Sequence, residues 1–194
     1  MSDDSIKPVP AYPADLEECI EHRGRHLRLR PIRPADAMRH RQFLARVSAQ
    51  DLYTRFFTGV RELPEPELAR FTQVDYDRDM AFIAEVIDGP EAGDILGVAR
   101  SCVLPEGGAA EFAVLVRSDL KRQGLGALLT SKLIRYCRAR GLHELRGSVL
   151  AENDAMLALA RALGFKVRSS ELNVEEIALD LLAAPAAPPA VPAE

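Results

Sequence analysis

The stretch VLVRSDLKRQGLGALL, residues 114–129, decides the fold of this chain. Its first residues are typical of a strand and its later leucines fall at helical spacing, which predicts a strand, a short loop and a long helix. Gly124 and Gly126 leave no side chains where the helix begins and where unpaired backbone amides converge. Lys121 and Arg122 add positive charge. A diphosphate is the natural guest of such a turn, although the two glycines alone fit a simple helix-starting turn equally well.

The segments on either side of this turn predict an α/β fold. Upstream, apolar residues mark four strands, over 27–33, 80–88, 95–104 and 110–117. Between the first two strands we expect three helices, one opening at Pro34 and two over 49–57 and 64–73. Downstream we expect helices over 124–140 and 154–163, and strands over 144–150, 165–170 and 174–182. Short turns make successive strands antiparallel, whereas helical crossovers require parallel pairing, so the sheet should be mixed and flanked by helices.

Length and composition limit the class of protein. With 194 residues, 47% of them hydrophobic and 28% charged, the chain fits one ordinary globular domain. The first residues are rich in proline, and the last residues are almost entirely alanine and proline without a core-forming pattern. We therefore expect a flexible arm over 1–14, a single domain over 15–182 and a disordered tail over 183–194.

Charge and cysteine usage disfavour several kinds of partner. A net charge of -4 argues against nucleic-acid binding, which needs a basic surplus. No signal-peptide layout opens the chain and no apolar run is long enough for a membrane helix, so the expected location is the cytoplasm. Cys19, Cys102 and Cys137 are widely spaced, which predicts reduced packing residues rather than a disulfide framework or a zinc site. The four histidines show no ligand spacing, so no metal is expected.

A dinucleotide-binding turn is the alternative interpretation of Gly124 and Gly126. The segment lacks the last glycine or alanine of that fingerprint. The fingerprint also has an acidic residue at the end of the next strand, whereas Glu144 starts that strand and Glu152 lies just beyond it. The antiparallel strands upstream fit a doubly wound nucleotide fold poorly. These departures disfavour the dinucleotide interpretation.

Two motifs together resemble those of the GNAT acyltransferase superfamily. The family's loop signature is Gln or Arg, two residues, Gly, any residue, then Gly or Ala; here it is KRQGLG, residues 121–126, with Lys in first place. The second block is an Asn followed by a helix that ends in Gly-Phe, here NDAMLALARALGF, residues 153–165. The resemblance covers roughly residues 27–180 and implies the GNAT fold and acetyl-CoA as co-substrate.

Three further segments narrow the resemblance to the acyltransferase domain of Pat-type bacterial protein lysine acetyltransferases. They are YPADLEECIEHRGRHLRLRPIRPADA (12–37), DLYTRFF (51–57) and FTQVDYDRDMAFIAEV (71–86). The resemblance implies direct transfer of an acetyl group to an amine, with a protein lysine as first choice and a small amine or an N-terminus as alternatives. The oligomeric state stays open.

The resemblance also assigns cofactor-binding residues. The strand backbone of Val114, Leu115 and Val116 would bond the pantetheine arm and the thioester. The loop would bind the pyrophosphate through the residues Lys121, Arg122, Gln123, Gly124, Leu125, Gly126 and Ala127. Asn153 would face the cofactor from the second block, and it can cap the following helix at the same time.

Glu111 is the candidate general base, since a lysine amine is protonated at neutral pH and must lose a proton before it attacks. Pat-like enzymes carry a catalytic Glu in a segment matching AEFAV, and the apolar neighbours here are expected to disfavour the charged carboxylate and raise its pKa. A carboxylate that reaches solvent from a half-exposed strand is the other interpretation. The general acid is missing, because Ala160 stands where many relatives have a Tyr. The thiol would leave as a thiolate stabilised by the helix N-terminus, or take a proton from water.

The acceptor side is expected at Arg55, Phe56 and Phe57 and at the cluster Asp75-Tyr76-Asp77, whose acidic residues would suit a cationic lysine. Ordinary surface charge and packing is the other interpretation of these residues. The missing Tyr, together with the lack of the regulatory region often attached to Pat-type domains, motivates a second hypothesis. In it the chain is a non-enzymatic module that senses acyl-CoA or binds a partner.

Overall fold

The computed structural model describes residues 11–56 and 70–183. The strands in chain order are β1 (Glu18–His22), β2 (Arg25–Pro31), β3 (Asp79–Val86), β4 (Ile95–Val103), β5 (Ala109–Val116), β6 (Glu144–Leu150), β7 (Lys166–Glu171) and β8 (Val174–Asp180). The helices are α1 (Ala37–Ala45), α2 (Ala49–Phe56), α3 (Leu125–Ala139) and α4 (Asp154–Ala162). Single turns of 3-10 helix occupy Ala14–Leu16, Pro34–Asp36 and Ser118–Leu120.

One eight-stranded sheet holds all these strands, in the order β1-β2-β3-β4-β5-β6-β8-β7. Every pairing is antiparallel except that of β5 with β6, which is parallel. The parallel pair is the place where α3 crosses from one strand to the next, as a helical crossover requires. The predicted mixed, mostly antiparallel α/β sheet flanked by helices is therefore confirmed.

The first hairpin is the element that the sequence did not predict. β1 pairs antiparallel with β2 through a turn in which Arg23 and Gly24 both have positive φ, 50° and 71°. The residues of β1, ECIEH, alternate between exposed and half-buried positions at the edge of the sheet and so carry no apolar alternation. Its partner runs from Arg25 to Pro31, two residues earlier than the predicted strand over 27–33.

Two hydrophobic cores lie on opposite faces of the sheet, because successive side chains of a strand point to opposite faces. The larger core packs under α3 and includes the buried side chains of Leu29, Phe82, Ala110, Leu129 and Leu133. The smaller core packs under α1 and α2 and includes Ile32, Phe43, Ile83, Ile95 and Val98. The strand β5 therefore carries residues of both cores, and its side chains at alternate positions face two different surroundings.

A buried ion-pair network joins α1 to the sheet. The Arg30 guanidinium on β2 donates to Asp36 at 2.7 and 2.8 Å and to Glu85 on β3 at 2.7 Å. Arg39 on α1 contacts both carboxylates from the other side. Burial alone would raise the pKa of Asp36 and of Glu85, but hydrogen bonds and the charge of Arg30 hold both values below their usual range.

Some predictions fall on residues outside the described ranges. These are most of the arm over 1–14, most of the helix over 64–73, the tail beyond residue 183, and Phe57. At the end of the predicted arm, the Tyr12 hydroxyl donates to Glu17 at 2.6 Å and its ring packs edge-on against Tyr76. Within residues 11–56 and 70–183, no helix is long and apolar enough to cross a membrane.

Candidate active site

The site is a cleft that opens where β5 and β6 part. The two strands pair over only three positions, the last of which joins Glu111 to Arg146. Beyond this point Phe112–Val116 pair with β4 on one side, and among the described residues they have no strand partner on the other. Backbone donors and acceptors of β5 therefore face open space, which is unusual in the middle of a sheet. The cleft measures about 520 Å³, including space open to solvent.

Packing of one aromatic ring accompanies the parting of the strands. The ring of Phe112 lies against Gly147 of β6, where an added Cβ would be 2.7 Å from the ring. On its other side the ring packs on Phe165, with 4.7 Å between centroids. Only a glycine at position 147 leaves room for the Phe112 ring against β6.

The cleft is lined from four elements of the fold. The strands β5 and β6 contribute most of its lining, and α2 and the start of α4 contribute the rest. Its lining residues are Thr54, Arg55, Glu111, Phe112, Ala113, Val114, Gly147, Ser148, Val149, Asn153 and Met156. Of the predicted site residues, Glu111, Val114 and Asn153 are thus brought together.

The glycine turn precedes α3 at the same edge of the sheet. Gly124 is the N-cap residue and has a φ of 84°, a left-handed conformation that favours glycine. The first amides of α3 have no carbonyl partner within the helix, so their donors are available to an anion. Gly126 lies where an added Cβ would be 3.4 Å from Leu159 and 3.8 Å from Val116, which brings α3 close to α4 and β5.

Two neighbouring elements hold this turn in place. The Lys121 ammonium forms an ion pair with Asp51 of α2, which also accepts a hydrogen bond from Ser118. The positive charge of Lys121, which the sequence assigned to the pyrophosphate, is therefore paired with a carboxylate of α2. On the other side, Arg23 of the first hairpin donates to the backbone carbonyl of Gln123 at 3.1 Å. Sequence reasoning missed both contacts, because their partners lie 70 and 100 residues away.

The remaining predicted cofactor residues occupy several surroundings. Arg122 is exposed and has a positive φ of 60°. Leu125 is buried in the larger core, and Ala127 is half-buried in the first turn of α3. Leu115 packs on the smaller core, whereas Val116 packs on the larger one. The side chains of Leu115, Leu125 and Val116 pack on the cores, so backbone atoms are the polar groups that these positions offer to a ligand.

Asn153 caps α4 at the far wall of the cleft. Its side-chain oxygen accepts a hydrogen bond from the backbone amide of Met156 at 3.2 Å. The cap directs the N-terminus of α4 toward the cleft, where the positive end of the helix dipole favours negative charge. The capping role expected from the sequence is confirmed, and the residue lines the cleft as well.

The apolar surroundings expected around the Glu111 carboxylate are absent, and the alternative of a carboxylate that reaches solvent describes it better. Its side chain is exposed, although its neighbours Ala110 and Phe112 are buried. These neighbours point to the larger core, on the opposite face of the strand, and therefore do not enclose the carboxylate. On its own face Glu111 stands in register with Cys102 of β4, which is in register with Asp79 of β3. The carboxylate thus lies at the rim of the cleft, open to an approaching acceptor.

Of the two groups of residues predicted on the acceptor side, one contributes to the cleft and the other does not. Arg55 lines the cleft beside Glu111. The cluster Asp75-Tyr76-Asp77 does not line it: Asp75 accepts hydrogen bonds from three following amides, and Asp77 pairs with Arg140 at the end of α3. The other interpretation of this cluster, packing and surface charge, describes these contacts better.

Position 160 offers no proton donor. Ala160 is buried in the larger core on α4, with 2% of its surface exposed. The three cysteines are free, and only Cys137 is buried, so the predicted packing role fits that residue and does not fit Cys19 and Cys102. In the part of the chain that is described, no three His, Cys, Asp or Glu side chains are grouped to hold a metal ion.

Comparison with known proteins agrees with this geometry. The sequence model of the acetyltransferase (GNAT) family matches residues 46–165. Acetyltransferase PA5475 of Pseudomonas aeruginosa is 35% identical over 142 residues, which are 73% of this chain and 76% of that protein. Acetyltransferase Pat of Mycolicibacterium smegmatis is 28% identical over 159 residues, 81% of this chain but only 46% of that longer protein.

Solved structures show the same fold. The GNAT domain of PAT from S. lividans superposes with a TM-score of 0.80 at 27% identity, over 88% of this chain and 99% of that domain. The structure of yncA from Salmonella typhimurium, solved with its cofactor acetyl-CoA, has a TM-score of 0.64 at 20% identity, over 85% of this chain and 99% of that one. The chain belongs to the GNAT family, and it is an acetyl-CoA-dependent N-acetyltransferase that acts on an amine acceptor.

Proposed function

We propose that the protein moves the acetyl group from acetyl-CoA directly to the amine of a protein lysine, with Glu111 as the general base. The observation that carries this proposal is the parting of β5 from β6 immediately after Glu111. It leaves unpaired backbone groups and an exposed carboxylate on one strand, at the mouth of one cleft. A thioester bonded to the strand and an amine placed at the carboxylate would therefore meet there.

Acetyl-CoA would be held mainly by backbone groups. The open edge of Val114–Val116 suits the amides of a pantetheine arm, which can complete the missing strand contacts. The amides of Gln123–Ala127 suit the pyrophosphate, because they lie at the positive end of α3. Asn153 adds the N-terminus of α4 to the cleft. Lys121 contributes through its ion pair with Asp51, which holds the loop, more than through direct contact.

The chemistry requires one proton acceptor and a stabilised leaving group. Glu111 takes a proton from the ammonium of the acceptor, directly or through one water, and the neutral amine attacks the thioester carbonyl. The new C–N bond forms, the C–S bond breaks, and coenzyme A leaves as a thiolate that takes up a proton. Since Ala160 is buried and has no donor, this proton comes from water or from the amine itself.

Two kinds of likeness favour a protein lysine as the acceptor. The GNAT domain of S. lividans PAT covers 88% of this chain, and Pat of M. smegmatis matches 81% of it. The exposed position of Glu111 suits a lysine that projects from a second protein. We place the reaction in the cytoplasm, where free cysteines are usual.

The test is steady-state acetylation by wild type and Glu111→Gln. The variant keeps the shape of the side chain but cannot accept the proton, so we expect kcat to fall by roughly 10²- to 10⁴-fold. The KM for acetyl-CoA should change by less than about twofold, because Glu111 is assigned to the acceptor. Thiol release and mass spectrometry of acetylated lysines in a proteome incubated with labelled acetyl-CoA are the two measurements.

Glu171→Gln is the matched control, because Glu171 is an exposed carboxylate on β7 that does not line the cleft. It should leave both parameters unchanged. Binding of coenzyme A without turnover on any amine would contradict the proposal and favour the acyl-CoA-sensing module. Acetylation of small amines alone would contradict the choice of a protein lysine.

A further inference from the structure

A second cavity adjoins the cleft on the side of α1 and α2. It measures about 360 Å³, including space open to solvent, and it shares Arg55 and Ala113 with the cleft. Four ring-bearing side chains form much of its wall, and two arginines project from α2 and β4. The lining residues are His40, Phe43, Leu44, Arg55, Phe56, Phe71, Val98, Arg100, Ala113 and Leu115. We call this space the arginine cavity.

The two arginines of this cavity stack on aromatic rings, and neither has a carboxylate partner among the described residues. The Arg55 guanidinium lies 4.9 Å from the centroid of Phe56, and that of Arg100 lies 5.2 Å from the centroid of Phe71. Arg100 also donates to the backbone carbonyl of Phe71. Across residues 11–56 and 70–183, neither guanidinium forms an ion pair with an Asp or Glu within 4.0 Å.

Partial burial disfavours the charged form of both arginines, and no carboxylate of the described residues lies close enough to form an ion pair with either. The pKa of Arg100 is lowered to about 10, chiefly by burial; the charge of Asp79 opposes this shift and the charge of Arg55 adds to it. Burial also lowers the pKa of Arg55, and the charge of Glu111 offsets only part of this effect.

Arg30 is the internal comparison: it is more deeply buried, with 1% of its surface exposed, whereas Arg55 and Arg100 are half-buried, yet two carboxylates hold its pKa above the usual value. Asp36 and Glu85 neutralise Arg30 through direct ion pairs. No described carboxylate forms such a pair with Arg55 or Arg100, so the arginine cavity carries positive charge.

The buried ring of His40 adds a nitrogen that has no hydrogen-bond partner among the described residues. His40 is 4% exposed, and its Nδ1 atom makes no hydrogen bond with the described residues. The ring packs between Phe43 and Phe71, with centroid distances of 5.8 and 5.9 Å. Burial and the charge of Arg100 lower the pKa of His40 to about 4, so the ring is neutral at pH 7. A neutral ring with its proton on Nδ1 can donate to an anion without adding charge.

We propose that the arginine cavity binds a carboxylate of the acceptor while the acceptor's amine lies at Glu111. This inference rests on the acetyl transfer of the proposed function, with Glu111 as the base, and it defines a chemical class of acceptor. Glu111 and Ala113 are alternate residues on one face of β5, and Arg55 borders both spaces, so one small molecule or side-chain pair can reach both charges. The acceptor then carries a positive amine and a negative carboxylate that match Glu111 and the arginines.

The required chemistry is a carboxylate held near a primary amine, and it has two sources. One is an acidic side chain next to the target lysine of a peptide. The other is the α-carboxylate of a free amino acid. Guanidinium groups bind carboxylates through paired, charge-assisted hydrogen bonds, so Arg55 and Arg100 suit both sources.

The experiment compares matched acceptors with the full chain. Two lysine peptides differ only in Glu or Gln beside the lysine, and a free amino acid is compared with its amide. We expect kcat/KM to be roughly 10- to 100-fold higher for the carboxylate member of at least one pair, mainly through KM. The pair that shows the difference identifies the source of the carboxylate.

Variants then assign the effect to the cavity. Arg55→Gln and Arg100→Gln should each abolish most of the preference, whereas Arg100→Lys should keep part of it because the charge remains. Arg161→Gln, at an exposed position on α4, is the matched control and should keep the full preference. Propionate is the direct probe: it should raise the melting temperature of wild type and of Arg161→Gln, and not that of Arg100→Gln.

The outcomes separate this inference from the proposed function. Turnover with equal kcat/KM for both members of each pair overturns the carboxylate site and leaves the acetyltransferase proposal standing. A preference that survives in Arg55→Gln and Arg100→Gln also overturns it. Absence of turnover on every acceptor contradicts the proposed function, and protection by propionate then still decides whether the cavity binds carboxylates. Should Arg100→Gln fail to fold, Arg55→Gln and the wild-type pairs give the answer.

Discussion

Gly124 is the residue where backbone conformation and ligand binding coincide. Its φ of 84° is left-handed, as is the 73° of Gly141, and both residues are exposed next to α3. Alanine at either position should lower the free energy of unfolding by about 1–2 kcal/mol, because a Cβ disfavours this conformation. Only Gly124→Ala should also weaken coenzyme A binding, since only Gly124 belongs to the proposed pyrophosphate loop.

Gly141→Ala is therefore the control for strain without a change at the loop, and no heavy atom lies within 4 Å of its added Cβ. Urea unfolding measures the first effect and titration calorimetry with coenzyme A the second. Equal binding by the two variants would remove Gly124 from the cofactor site. A loss of binding in both would indicate that the affinity follows overall stability instead.

The sequence identified some residues of the site better than others. Glu111 was found through a short matching segment, yet its surroundings were misjudged because neighbours in a strand lie on opposite faces of the sheet. Arg100 and His40 were missed as members of a site. They lie on β4 and α1, far from any motif, and only the packed structure shows that they face one cavity with Arg55.

The contact between α2 and the glycine turn before α3 joins two elements of the fold. Asp51 is 7% exposed and binds both Lys121 and Ser118 of the loop. Burial would raise the pKa of Asp51, but Lys121 and Ser118 hold it below its usual range. Asp51→Ala should lower the free energy of unfolding by about 1–3 kcal/mol, because it leaves buried polar groups without partners. It should also weaken coenzyme A binding, since the loop loses its support.

The control is Asp88→Ala, which removes an exposed carboxylate paired with the exposed His26. It should change stability by less than about 1 kcal/mol and leave binding unchanged. Urea unfolding and calorimetry again give the two values. An Asp51→Ala protein with wild-type affinity for coenzyme A would show that the loop holds its shape without α2.

Most elements were predictable, and the exception has a physical cause. The spacing of apolar residues predicted the bounds of β3–β6, α3 and α4 to within about two residues, because each of these elements buries one apolar face. The edge strand β1 has no such face, so its sequence gave no signal. Partners distant in the chain, such as Arg23 with Gln123, depend on tertiary packing and cannot be inferred from local pattern.

At the scale of the whole molecule, the buried network of Arg30, Asp36, Glu85 and Arg39 sets the response to acid. Asp36 and Glu85 have pKa values held below their usual 3.8 and 4.5, so they stabilise the fold above those values. That stability is lost as the pH falls below about 5 and through the folded-state pKa values. Asp36→Asn should cost about 3–5 kcal/mol at pH 7, because it leaves Arg30 partly uncompensated.

The difference between wild type and Asp36→Asn should therefore shrink as the pH falls from 6 to 3, because protonation removes the same charge from wild type. Urea unfolding at several pH values measures this convergence. Asp154→Asn, an exposed first-turn carboxylate on α4, should show a small and nearly constant difference. A constant gap for Asp36→Asn would mean that this network does not govern acid unfolding.

The parting of β5 and β6 has a consequence for the integrity of the molecule. The sheet consists of a five-stranded and a three-stranded part, and the two parts are paired through only three residues of β5 and three of β6. A co-substrate hydrogen-bonded to the open edge of β5 would stabilise the sheet where these two parts meet. At a concentration 100 times its Kd, it would add about 2.7 kcal/mol of resistance to unfolding. The durability of the enzyme would then rise and fall with the supply of the metabolite that it consumes.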